Sequence, residues 1–131
     1  MRDFKKIKAW QMADDLTVAI YAAAGKCFPS EERYGLTSQI RRAAVSVASN
    51  IAEGARRRHK KEFLHFLDTA NGSLGEVEYQ LHLARRLGYF GEEEYLPLAG
   101  QEDELSRTLY SLITSVEKES RSGESLKPAK G

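Results

Sequence analysis

One cysteine, three prolines and one tryptophan among 131 residues leave several architectures without material. The lone Cys27 closes no intramolecular disulfide and supplies no cysteine-based zinc site. No apolar run approaches the ~20 residues of a membrane span. The opening MRDFKKIKAW turns charged and amphipathic at once, without the apolar core of a secretory leader, so a cytoplasmic protein is expected. In that setting the sequon Asn71-Gly72-Ser73 reads as chance. Excess charge of either sign is missing too, with 20 Lys plus Arg against 19 Asp plus Glu. Net charge therefore does not announce a nucleic-acid binder; only its distribution can. There is no glycine-rich phosphate loop, and no segment sustains the alternation of a strand.

What is present is helical periodicity in four blocks. In the first, about Phe4 to Phe28, Ile7, Trp10, Ala13, Leu16, Ile20, Ala24 and Cys27 recur at steps of three and four. Trp10 lies on that stripe as a core anchor, and Cys27 reads as a small apolar residue. Pro29 stops the helix, because the residue before proline is pushed out of the helical region. A second helix is predicted over about Leu36–Arg58, its buried line formed by Leu36, Ile40, Ala43, Val47 and Ile51, with Ala44, Ala48 and Ala55 alongside. Gly54 marks either a close contact or a break of one turn. The third, from Phe63 to Gly88, carries a seam at Phe63, Leu67, Ala70, Leu74, Val77, Leu81 and Ala84, with alternating steps of four and three. Gly72 and Gly75 lie off this seam and are expected to admit a close neighbour, since each weakens the helix by about 1 kcal/mol. The fourth follows the acids Glu92, Glu93 and Glu94, with Pro97 in its first turn. It continues through Leu98, Leu105, Leu109, Leu112 and Val116, interrupted by Glu102. Residues 1–119 thus form one domain, and 120–131, with hardly any apolar residues, a disordered tail.

Four helices of similar length on short connections predict an all-α, antiparallel, up-down-up-down four-helix bundle. That order gathers charge. The start of the first helix, the second connection and the end of the fourth helix share one pole. It collects Arg2, Lys5, Lys6, Lys8, Arg56, Arg57, Arg58, Lys60, Lys61, Lys118 and Arg121 against fewer acids. The opposite pole holds Glu31, Glu32, Glu92, Glu93 and Glu94 against Lys26, Arg33, Arg85 and Arg86. A basic pole is an electrostatic footprint for phosphate backbones. It is equally the solvated end that any bundle needs, and the run RRRHKK lacks the aromatic residues that single-strand binders interleave.

The segment YGLTSQIRRAAVSVASNIAEG resembles the signature of the four-helix bundle proteins named for 23S rRNA intervening sequences. Trp10–Gln11, Phe28–Pro29, Gly72–Ser73 and Glu76 fit the same pattern. The resemblance spans about Phe4 to Val116. It departs at Ala48, where the family usually has proline, which puts a kink in the middle of the second helix in doubt. The resemblance implies a ring-like homopentamer and no established enzyme activity. It also implies an association with split large-subunit rRNA genes and, in distant relatives, with nucleic acid and a reverse transcriptase.

Gln39, Arg42, Ser46, Asn50 and Glu53 are spaced so that they share one face of the second helix. A polar stripe beside an apolar one predicts two interfaces, and these five residues are assigned to a subunit or partner contact. The competing reading pairs Arg42 and Glu53 with charges on adjacent helices and lets Asn50 satisfy a backbone group. Phosphate contacts are assigned to Arg56, Arg57, Arg58, Lys60 and Lys61, with Arg41 as an addition. A di-metal carboxylate site needs two Glu-x-x-His motifs. Glu62-Phe63-Leu64-His65 is one, but Glu78 and His82 have the wrong spacing for a second. Neither a metal nor a cofactor is expected. The expectation is a non-enzymatic homo-oligomer that binds RNA or DNA, or scaffolds a nucleic-acid-acting partner, through its basic pole. The alternative is a protein–protein adaptor without nucleic-acid contact.

Overall fold

The computed structural model describes residues 2–125. Four helices follow in order: α1 (Lys8–Cys27), α2 (Leu36–Ala55), α3 (Lys60–Arg86) and α4 (Glu92–Ser125). Short 3₁₀ turns, Phe4–Lys6 and Ser30–Glu32, precede α1 and α2. Each helix packs on two neighbours, α1 on α2 and α4, and α3 on α2 and α4. No helix is long and apolar enough to cross a membrane among the described residues.

The apolar seams of the sequence become the core. Every position of the α2 line and of the α3 seam is buried, as are Leu98, Leu105, Leu109 and Val116 of α4. Trp10 and Cys27 are half-buried against this core, and Trp10 meets Phe4 edge-on at 4.9 Å. Phe28, at ψ 140°, leaves the helix one residue before Pro29, as the proline ring requires. α2 runs without interruption through half-buried Ala48. Pro97 stands at the sixth residue of α4, one turn deeper than the sequence suggests, because the helix already begins at Glu92. α4 also continues through Ser125, past the boundary drawn at residue 119. The rest of the expected tail, 126–131, lies outside the described residues.

Contacts at the two ends fix the antiparallel order. At one end the backbone N–H of Arg2 donates to the carbonyl of Ala55 at 2.9 Å. Glu119 meets Arg2 at 3.4 Å and Lys60 at 3.6 Å. At the other end Phe28 packs against Tyr89 and Phe90, and Arg85 lies 3.5 Å from Glu92. There Glu32 ties α2 to the α3–α4 turn. Its carboxylate accepts the Leu36 N–H at 3.0 Å, capping α2, and the Tyr89 hydroxyl at 2.8 Å. These two donors hold Glu32 below the usual carboxylate range, and the same bond raises the Tyr89 phenol. The α3–α4 turn closes on Gly88 at φ 77°, with the Tyr89 N–H returning to Ala84 at 2.9 Å. A side chain at that left-handed position would be strained.

Gly54 answers the question its place in the sequence raised. It is buried inside α2, and a Cβ there would stand 2.7 Å from the Cβ of Phe66. It is a close-contact glycine, not a break. Gly72 and Gly75 are the opposite case. A Cβ on either meets nothing within 4 Å, so the expected close neighbour is absent among the described residues.

Candidate functional site

The connection between α2 and α3 is built from the basic run itself. α2 ends at Ala55 and α3 starts at Lys60, so Arg56, Arg57, Arg58 and His59 form the turn instead of extending either helix. The reason is local: Gly54 brings α2 against Phe63 and Phe66 of α3, and the chain must reverse at once. The reversal projects the bases outward. Arg56, Arg58, Lys60 and Lys61 are exposed. Arg57 is half-buried, 3.2 Å from Glu53, with its guanidinium 4.7 Å from the Phe66 ring centroid. Arg2 lies 4.7 Å from the Phe63 ring centroid. The leading segment, the turn and the end of α4 therefore share one end of the bundle. Arg2, Lys60 and Arg57 are partly neutralised there by Glu119 and Glu53. Arg56, Arg58 and Lys61 have no carboxylate within 4 Å among the described residues. These exposed pairs hold little free energy, so a polyanion displaces them at small cost.

Arg41 does not join this set. It sits fourteen residues before Ala55, about 21 Å away along α2 at 1.5 Å per residue. Its guanidinium donates to the Tyr21 carbonyl at 2.9 Å and lies 4.6 Å from the Tyr21 ring centroid.

The polar stripe of α2 divides. Gln39, Arg42 and Ser46 line a cleft of about 280 Å³ together with Ser73, Glu76 and Gln80 of α3. The Ser46 and Ser73 hydroxyls share a hydrogen bond of 2.8 Å across the helix pair. Asn50 donates to the Ser46 carbonyl at 2.8 Å and to its hydroxyl at 3.0 Å. Glu53 lies outside the cleft and pairs within its own turn with Arg57, not with an adjacent helix. Arg42 and Glu76 line the same cleft without an ion pair between them. Gln80 is buried, and its Oε1 has no hydrogen-bond partner among the described residues. Ser73 and Glu76 carried a signal in the family pattern. Gln80 has no such signal beyond its place, an amide three residues past Val77 on the flank of an apolar seam.

Among metal candidates, Glu62 and His65 stand on the outer face of α3 and are exposed, because Phe63 and Leu67 take the inward positions. No group of three or more His, Cys, Asp or Glu side chains is placed to hold a metal among the described residues.

Comparison with known proteins accords with this geometry. Residues 5–111 match the model of the 23S rRNA-intervening sequence protein family. A protein of unknown function from the S23 ribosomal protein family of Bacteroides thetaiotaomicron VPI-5482 has a similar fold. It superposes with a TM-score of 0.75 at 24% identity, over 81% of this chain and 95% of its own. Among curated proteins none matches. With the family match covering most of its length, this chain belongs to the 23S rRNA-intervening sequence proteins.

Proposed function

We propose that this protein is a non-enzymatic, homo-oligomeric four-helix bundle of the cytoplasm. Its basic end binds the phosphate backbone of RNA or DNA, or scaffolds a partner that acts on nucleic acid. The observation that carries the reading is the convergence of three distant chain segments at one end. The Arg2–Ala55 hydrogen bond and the Glu119 contacts bring Arg2 and the end of α4 beside the Arg56–Lys61 turn. A chain of nearly zero net charge thereby presents a concentrated positive surface, the arrangement that attracts a polyanion at long range. The family name adds support, since it ties these proteins to intervening sequences of 23S rRNA.

The test is a titration of labelled structured RNA at about 50 and about 200 mM salt. Phosphate-driven binding weakens steeply across that interval. Replacing Arg56, Arg57 and Arg58 by alanine flattens the salt dependence by about one unit of slope per lost contact. Absent or salt-insensitive binding defeats the reading. It would favour the adaptor alternative, which the α2–α3 cleft supports through its unpaired Arg42, Glu76 and Gln80 groups. Light scattering reads the oligomer size.

A further inference from the structure

A face remote from the basic end carries chemistry that the basic end does not use, and it shares only Arg42 with the α2–α3 cleft. Where α1 meets the first half of α2, an open cleft of about 510 Å³ is lined by Tyr21, Arg33, Tyr34, Arg41, Arg42 and Val45. The hydroxyl residues Thr37 and Ser38 complete it, and no carboxylate lines it among the described residues. Tyr34 is 86% exposed, and Tyr21 and Val45 are also open to solvent. The guanidinium of Arg33 lies 5.4 Å from the Tyr34 ring centroid, and that of Arg41 lies 4.6 Å from the Tyr21 centroid. None of Arg33, Arg41 and Arg42 has a carboxylate within 4 Å among the described residues.

Two costs meet on this face. Aromatic surface is left in water, and three guanidiniums line one cleft without a carboxylate in ion-pair reach among the described residues. A ligand that relieves both needs a flat π-face and an anion at close spacing. A nucleotide has this chemistry, and only an unpaired base is free to lie on a tyrosine ring. Guanidiniums already set against both rings extend the stack through cation–π attraction. We propose that this α1–α2 face binds single-stranded nucleic acid, with bases stacking on Tyr34 and Tyr21 and phosphates on Arg33, Arg41 and Arg42. The proposal extends the nucleic-acid reading above to a second surface. It rests on an observation of its own, because Arg42 lies about 21 Å along α2 from Arg56. It also supplies the aromatic partners that the RRRHKK run lacks.

The test uses the full-length protein and a fluorescein-labelled oligothymidylate, with a hairpin DNA duplex as the comparison probe. Wild type binds the single strand. Tyr34→Ala weakens that binding about tenfold, the loss of one stacked base. Tyr34→Phe keeps the ring and therefore the affinity. Arg33→Ala combined with Arg42→Ala weakens binding and flattens its salt dependence. The Arg56, Arg57, Arg58 triple alanine variant loses structured RNA but retains the oligothymidylate, which separates failure at one surface from failure at the other. Equal affinity in wild type and Tyr34→Ala overturns the proposal, as does equal loss in Tyr34→Ala and Tyr34→Phe. A Tyr34→Ala change that alters sedimentation mass but not oligothymidylate binding also overturns it, and makes the face a contact between copies of this chain.

Discussion

The backbone N–H of Arg2 lies 2.9 Å from the carbonyl oxygen of Ala55, joining the leading segment to the last residue of α2. The Arg2 side chain continues the attachment over Phe63 and towards Glu119. Two variants separate these parts. Arg2→Ala removes the half-exposed side-chain contacts and should cost about 0.5–1 kcal/mol. Arg2→Pro removes the N–H as well and should cost about 1 kcal/mol more, the ordinary value of one such bond. Urea unfolding of both variants reads the difference. An Arg2→Pro variant no weaker than Arg2→Ala would show that the strap is not held by its backbone.

Gly54 and the pair Gly72 and Gly75 should respond oppositely to the same substitution. At Gly54 a methyl group collides with the Cβ of Phe66 at 2.7 Å and closes on Phe63 at 3.0 Å, and neither is the free end of a flexible side chain. Overpacking of this kind costs about 1–3 kcal/mol, against a gain of about 1 from helix propensity. Gly54→Ala should therefore lower stability by roughly 1–2 kcal/mol. Gly72→Ala and Gly75→Ala meet open space, and each should raise it by about 1 kcal/mol. Thermal unfolding of the three variants decides this. Destabilisation at Gly72 or Gly75 would mean that another copy or a partner covers that side of α3.

These glycines also show where the sequence was legible. The four helices and nearly all core positions follow from steps of three and four, because burial on a helix leaves a periodic trace. The antiparallel order follows from short connections, and with it the meeting of Arg2, Lys60 and Glu119. A missing side chain leaves no such trace. Gly54 and Gly75 are alike in sequence, yet one touches Phe66 and the other touches nothing. Long side chains evade the pattern as well. The charge of Arg41 suggests the basic end, but the residue stands about 21 Å from it along α2, and its guanidinium reaches the Tyr21 carbonyl across the α1–α2 seam. Three of the seven residues lining the α2–α3 cleft come from α3, so a stripe along α2 alone points to Gln39, Arg42 and Ser46 but not to Gln80.

Gln80 itself makes a prediction. Its side chain is buried and its Oε1 has no donor among the described residues, and a buried acceptor without a donor costs free energy. Gln80→Leu fills a similar volume without the unmet acceptor, and should stabilise the isolated protein by about 1 kcal/mol. If the cleft receives a partner group that donates to Gln80, the same variant must weaken that association. Unfolding measurements read the first effect, and sedimentation across a concentration series the second. A variant both less stable and unchanged in association would remove the cleft from consideration as an interface.

The buried carboxyl of Glu102 should make stability depend on pH. It occupies the α4 seam between Leu98 and Leu105 and is only 5% exposed. Burial pushes its pKa up to about 7, with further contributions from the charges of Glu78 on α3 and Asp103 on α4. The protonated carboxyl also shares a hydrogen bond with Glu78, which favours the neutral form. The folded protein therefore holds a proton that the unfolded chain, with an ordinary carboxyl, releases near pH 4–5. Between that range and about pH 7 the folded state binds more protons, so stability falls as pH rises. Above pH 7 the group is ionised in both states, and its penalty stays constant. A shift of this size corresponds to at most about 3 kcal/mol, and water at the outer edge of the carboxyl reduces that to roughly 1–2. Glu102→Gln cannot ionise and keeps a polar group for Glu78. Compared by urea unfolding at pH 5 and pH 8, wild type should lose that amount of stability relative to the variant. Parallel pH profiles for the two proteins would show that Glu102 is already ionised at low pH and that the α3–α4 seam tolerates its charge.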